Sequence, residues 1–291
     1  MIKRTNPLIH IILILGSLAS LLPFWLLLMV SLTSQDYITL HGYSFLPKQF
    51  DIAAYLYLYH DAEQILRAYS VSIIVTVVGV VISLFITSAL AYTISRRDYP
   101  FRSILSFYVF FTMLFGGGLL PWYLVYTRLL HVQDTLWALI LPGLLSGFNV
   151  LIMRTFFANS IPPALLDSAQ IDGAGEYRTY FSIILPLSLP VIATIGLFVT
   201  ISYWNDWFTS LVFINDTKLY SLQYFLNKTL MNATFLAALA NNQYASLIRP
   251  TAPLESIRMA MAIVAIGPIV LVFPFVQKYF VKGLTIGAVK G

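Results

Sequence analysis

The chain has 291 residues, of which 59% are apolar and only 10% are charged. Soluble domains are about 45–50% apolar and about 25% charged, so this composition excludes a water-soluble surface and predicts one polytopic membrane domain. The absence of cysteine excludes disulfides, thiolate metal sites and cysteine nucleophiles. The net charge of +5 indicates lysines and arginines gathered in cytoplasmic loops, not nucleic-acid binding.

Six stretches are apolar over the length of about 20 residues that a helix needs to cross the hydrocarbon core. The first follows Lys3 and Arg4, but its apolar run is longer than that of a signal peptide, so it is interpreted as a retained span. The fold class predicted for residues 1–291 is therefore all-α, with six transmembrane helices. They run from Leu8 to Leu32, Ala68 to Ile94, Ser103 to Tyr126, Leu136 to Ala158, Leu187 to Leu211 and Arg258 to Phe280.

The charges of the connecting segments predict the orientation of the spans. Cytoplasmic loops carry an excess of lysine and arginine, and the basic residues here cluster so that both termini are predicted in the cytoplasm. Two long loops, Thr33 to Arg67 and residues 212–257, then lie outside, and Asp51 to Tyr59 suits a helix at the membrane interface. The residues predicted on the cytoplasmic side are Lys3, Arg4, Arg96, Arg97, Arg102, Arg154, Arg178, Lys278, Lys282 and Lys290.

The segment between spans four and five, residues 159–186, predicts two short helices. Ser160 can cap a helix that runs to Asp172, and Gly173 suits the left-handed position that stops it. A second helix can start near Gly175 with one apolar stripe, and Pro186 marks the return to the membrane. The stripe consists of Tyr177, Tyr180, Phe181 and Ile184.

The residue pattern of this segment resembles the EAA loop of importer permeases of the ATP-binding-cassette superfamily. That pattern is an EAA triplet, three residues, a glycine, nine residues and then Ile-x-Leu-Pro. The spacings between these elements are the same in this chain. Only the triplet differs from the pattern: Asp167 stands in place of Glu, and Ser168 in place of the first Ala. The matching residues are Asp167, Ser168, Ala169, Gly173, Ile183, Leu185 and Pro186.

Further segments are similar to the carbohydrate branch of these permeases, in particular to maltose-type second subunits. Within that branch the similarity is greatest to permeases for polysaccharide fragments, the polygalacturonan-type and lipoprotein-named group. The segments that carry it are Met113–Tyr123, Asp134–Pro142, Phe148–Phe157 and Gly283–Gly291.

The resemblance implies a type I importer permease fold in the cytoplasmic membrane of a bacterium, surrounded by lipid. It implies a sugar cargo, either an oligosaccharide or a polysaccharide fragment. Its expected partners are a second, usually different permease subunit, an ATPase dimer and an extracytoplasmic binding protein. The seven matching residues are expected to couple the chain to the ATPase, with the tail 281–291 as a further contact. ATP and Mg belong to that ATPase: the chain has no phosphate loop, and no cofactor, metal or catalytic residue is expected on it.

Candidate cargo contacts form a cluster in span five. Its acidic member, Asp206, lies well inside the predicted span, and an intramembrane carboxylate indicates a cavity or a partner. Aromatic rings and polar groups suit a sugar, but the same cluster is typical of an aromatic belt at the membrane interface. The cluster consists of Tyr203, Trp204, Asn205, Asp206 and Trp207.

Two further features of the spans leave alternatives open. Asn149 in span four either faces the pathway or bonds to a neighbouring helix. Gly116–Gly118 predicts an interruption of span three, which is typical of a binding site or gate, of a tight helix crossing, or of an early end to the span.

Three other functions are alternatives to sugar import. A permease for another polar solute, such as a peptide or a polyamine, shares the loop pattern. An ATP-independent secondary transporter does not need that pattern. An intramembrane enzyme needs convergent catalytic groups, and the spans offer only Asp206.

Overall fold

The computed structural model of the chain describes residues 7–240 and 254–267. Most of these residues are helical, and the only strand-like pairing among them is an isolated bridge between Thr33 and Phe50. The all-α prediction is therefore confirmed for this part of the chain. The described residues form two compact units, one made of residues up to Leu66 and from Phe225 onward, the other of Arg67–Tyr224.

Several of the described helices continue directly into a short stretch of π- or 3-10 helix. Segments of π-helix follow α6 and α10, at Val125–Leu129 and Tyr180–Ile184, and 3-10 segments are Leu141–Gly143 and Thr217–Leu219. In chain order the helices are α1 (Pro7–Ser31), α2 (Gln35–His41), α3 (Ala53–His60), α4 (Ala62–Ser95), α5 (Arg102–Leu114), α6 (Leu119–Leu124), α7 (Leu136–Ile140), α8 (Gly147–Ser160), α9 (Pro163–Ile171), α10 (Glu176–Thr179), α11 (Leu185–Leu187), α12 (Leu189–Asn205), α13 (Phe208–Phe213), α14 (Leu222–Ala240) and α15 (residues 254–267).

Two helices of the described residues are long and apolar enough to cross a membrane by themselves, α1 over Leu8–Ser31 and α4 over Ala62–Ser95. They confirm predicted spans one and two, although α4 begins at Ala62 rather than at Ala68. Helix α1 is apolar around its whole circumference, which is typical of a helix surrounded by protein or lipid. Its large side chains, such as Leu13 and Leu21, are exposed, as suits a helix in lipid.

Predicted spans three, four and five each correspond to a pair of helices joined by a bend. The bends measure 115° between α5 and α6, 50° between α7 and α8, and 79° between α11 and α12. Each falls at residues that weaken a continuous helix: Gly116–Gly118, Pro142–Gly143 and the stretch Pro186–Pro190. The predicted interruption at the glycine run is confirmed.

Span five departs most from its predicted bounds, Leu187 to Leu211. Helix α12 ends at Asn205, and a new short helix, α13, begins at Phe208. The prediction that Asp206 lies well inside a span is therefore wrong, because this residue ends the helix. Of predicted span six, residues 258–267 are described and helical, and its remainder and the tail 281–291 lie outside the described residues.

Helix α4 contributes a buried face of small side chains to the unit Arg67–Tyr224. Small residues let neighbouring helices approach closely in a membrane, where van der Waals contact and hydrogen bonds hold helices together. The residues of this face are Ser72, Thr76, Gly79, Ser83 and Thr87. The largest fully buried side chains of the same unit include Val150, Met153, Ile184, Ile195 and Phe213.

In the other unit, the loop after α1 folds back on itself. The Asp51 N–H donates to the Leu32 carbonyl at 3.0 Å, and the Asp51 carboxylate accepts from the Ala53 N–H at 2.8 Å where α3 begins. Helix α3 covers most of the stretch for which the sequence predicts an interfacial helix. The Gln35 side-chain oxygen accepts from the Glu255 N–H at 2.9 Å and so ties α2 to α15.

Candidate functional site

The first candidate site is the segment 159–186, which carries the loop pattern. Its first helix, α9, begins at Pro163, and Pro162 holds the position before it. The predicted cap at Ser160 is wrong, because α8 continues to Ser160 and the chain turns at Ile161 and Pro162. Proline suits the first turn of a helix, since the N–H that it lacks would have no partner there.

Gly173 ends α9 in the left-handed conformation that the sequence predicts, with φ = 73°. Its N–H donates to the Gln170 carbonyl at 3.0 Å, and the Ala174 N–H donates to the Ala169 carbonyl at 2.9 Å. These two bonds form a Schellman motif, which satisfies the last carbonyls of the helix. The motif needs a positive φ, and glycine adopts it without a steric penalty.

The exposed edge of α9 carries two of the three triplet residues. Asp167 and Ser168 are exposed, whereas Ala169 is buried. The Ser168 hydroxyl donates to the Leu165 carbonyl of its own helix at 3.0 Å. Asp167 also lines a cleft of about 360 Å³ beside residues that follow α4. This edge therefore presents one carboxylate and one hydroxyl to the surroundings.

The second helix of the segment, residues 176–187, contains the π-helical turn at 180–184. Tyr180 and Ile184 are buried, whereas Tyr177 and Phe181 are exposed. Tyr177, Tyr180 and Phe181 line one cleft of about 420 Å³ beside the end of α4. A π turn winds more widely than an α-helix, which shifts its residues from regular helical positions, and Tyr177 lies at the exposed start of the helix. The remaining pattern residues are Ile183 and Leu185, both half-buried, and Pro186, which is exposed.

Charged and polar side chains join this second helix to the end of α4. The nearest nitrogen–oxygen distances from the Arg96 guanidinium are 2.6 Å to the Asp98 carboxylate and 3.2 Å to the Glu176 carboxylate. The Tyr92 hydroxyl accepts from Arg96 at 2.9 Å and donates to Glu176 at 3.1 Å. The hydrogen bonds from Arg96 lower the pKa of Asp98, and Asp98 in turn raises the pKa of Arg96 above its ordinary value. Both side chains are therefore charged at neutral pH.

A further hydrogen bond joins the same two helices one turn away. The hydroxyls of Ser88 and Tyr180 lie 2.6 Å apart, and the ring of Tyr180 lies 5.5 Å from the ring of Tyr92, between centroids. These contacts form one continuous polar joint, which is called the clamp below. It consists of Ser88, Tyr92, Arg96, Glu176 and Tyr180.

The second candidate region lies where α12 ends. The side chains of Tyr203 and Trp204 are buried, and the Tyr203 hydroxyl donates to the Ile140 carbonyl at 2.7 Å. A Cβ atom added at Gly79 would lie 2.6 Å from the Tyr203 ring, and one at Gly143 would lie 2.9 Å from it. The two glycines therefore make room for this ring, which packs α12 against α4 and against the 3-10 turn after α7.

Asp206 lies at an interruption of the chain beside a cleft of about 480 Å³. Its Oδ1 accepts from the Thr209 N–H at 3.0 Å where α13 begins, and its main-chain carbonyl accepts from the Ser221 hydroxyl at 3.1 Å. Three interruptions meet at this cleft, those near Gly118, near Gly143 and at Asp206 itself. The lining residues are Gly118, Leu119, Trp122, Pro142, Gly143, Asp206, Phe208 and Thr209.

A neighbouring cleft of about 400 Å³ contains Asn149. Asn149 is buried and lines this cleft together with Phe198 and Ser202. The remaining members of the predicted cluster, Asn205 and Trp207, have exposed side chains. Thus the structure places Asp206 and Asn149 in adjacent clefts, which share Gly143 in their walls.

The Asp134 carboxylate joins the loop before α7 to Asn215 and Asp216 after α13, and this joint is called the latch. Asp134 has φ = 55°, and its carboxylate accepts hydrogen bonds from the main-chain N–H groups of Asn215 and Asp216 and from the Asn215 amide. Burial raises the pKa of Asp134, but these hydrogen bonds outweigh burial and the pKa is lowered below its ordinary value. The latch therefore holds a charged carboxylate at neutral pH.

Sequence reasoning missed two groups of residues in these regions. Trp122 and Phe208 were not predicted to line a common cleft, and their ring centroids lie 6.2 Å apart although they are distant in the sequence. Arg96 was used only to orient the spans. Its spacing of four residues from Tyr92 and eight from Ser88 was an available signal, because such residues share one face of a helix.

The fold and these two regions define a class of protein, a helical membrane permease. It has apolar spans, clefts at interrupted helices and an exposed two-helix segment. Within residues 7–240 and 254–267, no group of three or more His, Cys, Asp or Glu side chains is placed to hold a metal ion.

The chain belongs to the family of binding-protein-dependent transport system inner membrane components, whose model matches residues 84–286. It is 38% identical to the polygalacturonan/rhamnogalacturonan transport system permease protein YtcP of Bacillus subtilis, over 98% of each chain. It is 39% identical to Protein LplC of the same organism, over 96% of this chain and 93% of the relative. A crystal structure of a bacterial ABC transporter involved in the import of the acidic polysaccharide alginate matches with a TM-score of 0.77 and 30% identity, over 96% of this chain and 99% of the other.

These comparisons confirm the predicted family and the type I importer permease fold. The chain is a permease subunit of the cytoplasmic membrane, and the family to which it belongs has no ATPase site on this subunit. The predicted localisation and the prediction of a non-enzymatic subunit are therefore confirmed.

Proposed function

We propose that the chain imports a sugar, either an oligosaccharide or a polysaccharide fragment, as one permease subunit of an ATP-driven importer. The observation that carries this proposal is the similarity, over nearly the whole length of both chains, to a permease named for polygalacturonan and rhamnogalacturonan transport. The likeness to the alginate importer supports the same class of cargo. Full-length similarity matters here because both the clefts and the segment 159–186 fall within it.

In this proposal six spans cross the membrane and both termini lie in the cytoplasm. Helices α1 and α4 are the first two spans, the three bent pairs are the next three, and the stretch from Arg258 to Phe280 is the sixth. The excess of basic residues supports this orientation. It puts the segment 159–186 in the cytoplasm and the loop 212–257 outside, where the extracytoplasmic binding protein contacts it.

The ATPase dimer docks on the segment 159–186 and hydrolyses ATP with Mg, so this chain needs no cofactor of its own. Helix α9 is the docking element, because Asp167 and Ser168 are exposed along one edge while Ala169 packs inward. Gly173 ends this helix sharply. The second helix, with Ile183, Leu185 and Pro186, leads back to the membrane, and the tail 281–291 is a further contact. A second, different permease subunit completes the pathway.

The cargo passes the clefts at the interrupted spans. Asp206 offers carboxylate oxygens to sugar hydroxyls, while Trp122 and Phe208 offer ring faces, and Asn149 lines the adjacent cleft. These groups suit the hydroxyls and ring faces of a sugar. Asn205 and Trp207 border this region. Tyr203 and Trp204 are buried and support its wall from within the bundle.

Transport by the complete importer in proteoliposomes tests this function. The chain is reconstituted with its second permease, its ATPase and its binding protein, and is offered labelled oligogalacturonides, neutral oligosaccharides, peptides and polyamines, with and without ATP. ATP-dependent uptake of a glycan is expected. Uptake of a peptide or polyamine instead would replace the cargo, and uptake without ATP would identify a secondary transporter.

A further inference from the structure

The clamp joins two helices through residues at matching intervals. Ser88 and Tyr92 lie four residues apart near the end of α4, so they share one face, and Arg96 follows the helix directly at the same interval. Glu176 and Tyr180 have the same interval on the opposing helix. Each level of the joint is bonded: Arg96 and Tyr92 contact Glu176, and Ser88 contacts Tyr180.

Arg96 is the centre of this joint, because all three nitrogens of its guanidinium contact neighbouring side chains. Nε and Nη2 bond the two Asp98 oxygens at 2.8 and 2.6 Å. The two Nη atoms also meet Glu176 at 3.2 and 3.3 Å, and Nη1 donates to Tyr92 at 2.9 Å. Only 11% of the Arg96 side chain is exposed. Removing one partner of such a buried charge is costly, since the remaining groups lose their compensation.

The helix 176–187 and α4, which the clamp joins, also connect to other elements of the same unit. The helix 176–187 continues into α12 only through the 79° bend at Ser188. A sharp bend transmits force poorly unless a side contact prevents the two arms from rotating. The clamp is such a contact, since it attaches residues 176–180 to α4, and α4 in turn packs at Gly79 against Tyr203 beside the clefts.

We propose that the clamp carries the movement of the segment 159–186 to α4, with Arg96 as a positioning residue. This inference rests on the proposed docking of the ATPase at α9. A movement at one site changes another only through an element whose arrangement both sites bias. The successive contacts supply that element: the Gly173 turn joins α9 to the second helix, the clamp joins the second helix to α4, and Tyr203 joins α4 to the wall of the cleft.

The test compares transport with ATP hydrolysis in the complete importer, reconstituted in proteoliposomes with its binding protein. Arg96→Gln and Glu176→Gln each remove one charge of the clamp. Glu176→Gln keeps the side-chain size, whereas Arg96→Gln also shortens the side chain. Arg102→Gln is the matched control, because it removes the same charge from an exposed position at the start of α5. We expect the clamp variants to lower the cargo transported per ATP by about tenfold while hydrolysis continues. The control is expected to keep the wild-type ratio.

A wild-type ratio in both clamp variants would overturn the role of the clamp and leave the proposed function intact. If the wild-type importer shows no ATP-dependent uptake, the proposed function itself is wrong, so the two failures are distinguishable. If Arg96→Gln fails to assemble, Glu176→Gln decides the question. The Glu176 side chain is 61% exposed, and in this variant Arg96 still has Asp98 as a charged partner. Arg96→Lys is expected to restore the ratio only in part, since lysine keeps the charge but not the planar fork.

Discussion

Two stretches of the same helix, α4, are attached to their neighbours in different ways. Near its end, Ser88, Tyr92 and Arg96 hold the helix 176–187 through hydrogen bonds and an ion pair. In its middle, Gly79 receives the ring of Tyr203 by close packing. One stretch is therefore held by directional polar bonds and the other by shape.

The surroundings of the two stretches explain this difference. A charged side chain deep in a membrane is costly, whereas at the end of a span the charge can be paired near water. Within the span, small residues allow close packing, which is the main attraction between membrane helices. The joint at the segment 159–186 therefore depends on charge, whereas the wall of the clefts depends on close packing. Four changes test this contrast.

The largest effect is expected from Gly173→Glu, which alters the coupling segment without touching the clamp. A residue other than glycine in the left-handed conformation costs about 1–2 kcal/mol, so the turn after α9 is expected to change shape. We expect transport to fall by more than about tenfold, while insertion in the membrane and ATP hydrolysis persist. Uptake and hydrolysis assays in proteoliposomes measure both quantities.

Gly175→Glu is the control for this change. Gly175 is also exposed with open space around it, but its φ of −69° is accessible to any residue. We expect nearly normal transport, because the added charge is the same and only the backbone requirement differs. Equal loss in both variants would mean that charge, and not the left-handed turn, causes the defect.

Gly79→Ala tests the close packing of α4 against the ring of Tyr203. The new methyl group would lie 2.6 Å from the Tyr203 ring, and overpacking of this kind typically costs about 1–3 kcal/mol. We expect a lower thermal midpoint in detergent, and recovery when Tyr203→Leu is added. Gly196→Ala serves as the control on the same pair of helices, because its nearest neighbour is the flexible end of Leu84 at 3.3 Å. A midpoint unchanged by Gly79→Ala would contradict the close fit.

Asp206→Asn tests the cleft as a cargo site. The amide keeps an acceptor for the Thr209 N–H but removes the negative charge that strengthens hydrogen bonds from sugar hydroxyls. We expect the half-saturating sugar concentration to rise about fivefold, with the cargo transported per ATP unchanged. The concentration dependence of uptake measures this, and Asp61→Asn, at an exposed position between α3 and α4, is the control. A changed ratio would instead assign Asp206 to coupling.

The smallest effect is expected at the latch, from Asp134→Asn. Loss of the charge weakens the hydrogen bonds from Asn215 and Asp216, at a cost on the order of 1 kcal/mol near neutral pH. Because the folded pKa of Asp134 is lowered, its stabilisation is complete above the unfolded value of about 3.9 and is lost as the pH falls through the folded pKa. The difference in thermal midpoint between wild type and variant should therefore narrow below about pH 4. A difference that is constant with pH would contradict a charged latch.

The sequence predicted part of the candidate sites correctly because those parts depend on local properties. The left-handed turn at Gly173 follows from the conformational freedom of one residue, and the glycine run Gly116–Gly118 interrupts a helix wherever it occurs. The cap at Ser160 was predicted wrongly. It depends on where α8 ends, which the packing of neighbouring helices decides.

By itself, then, the sequence determined the membrane class, the first two spans and the family pattern of the segment 159–186, because hydropathy and residue spacing are properties of consecutive residues. Only the tertiary structure decided that Asp206 ends a helix beside Trp122, that Tyr203 fits between two glycines, and that Arg96 meets Glu176. The physical reason is that each of these contacts joins residues far apart in the chain, whose meeting depends on how the helices bend and pack.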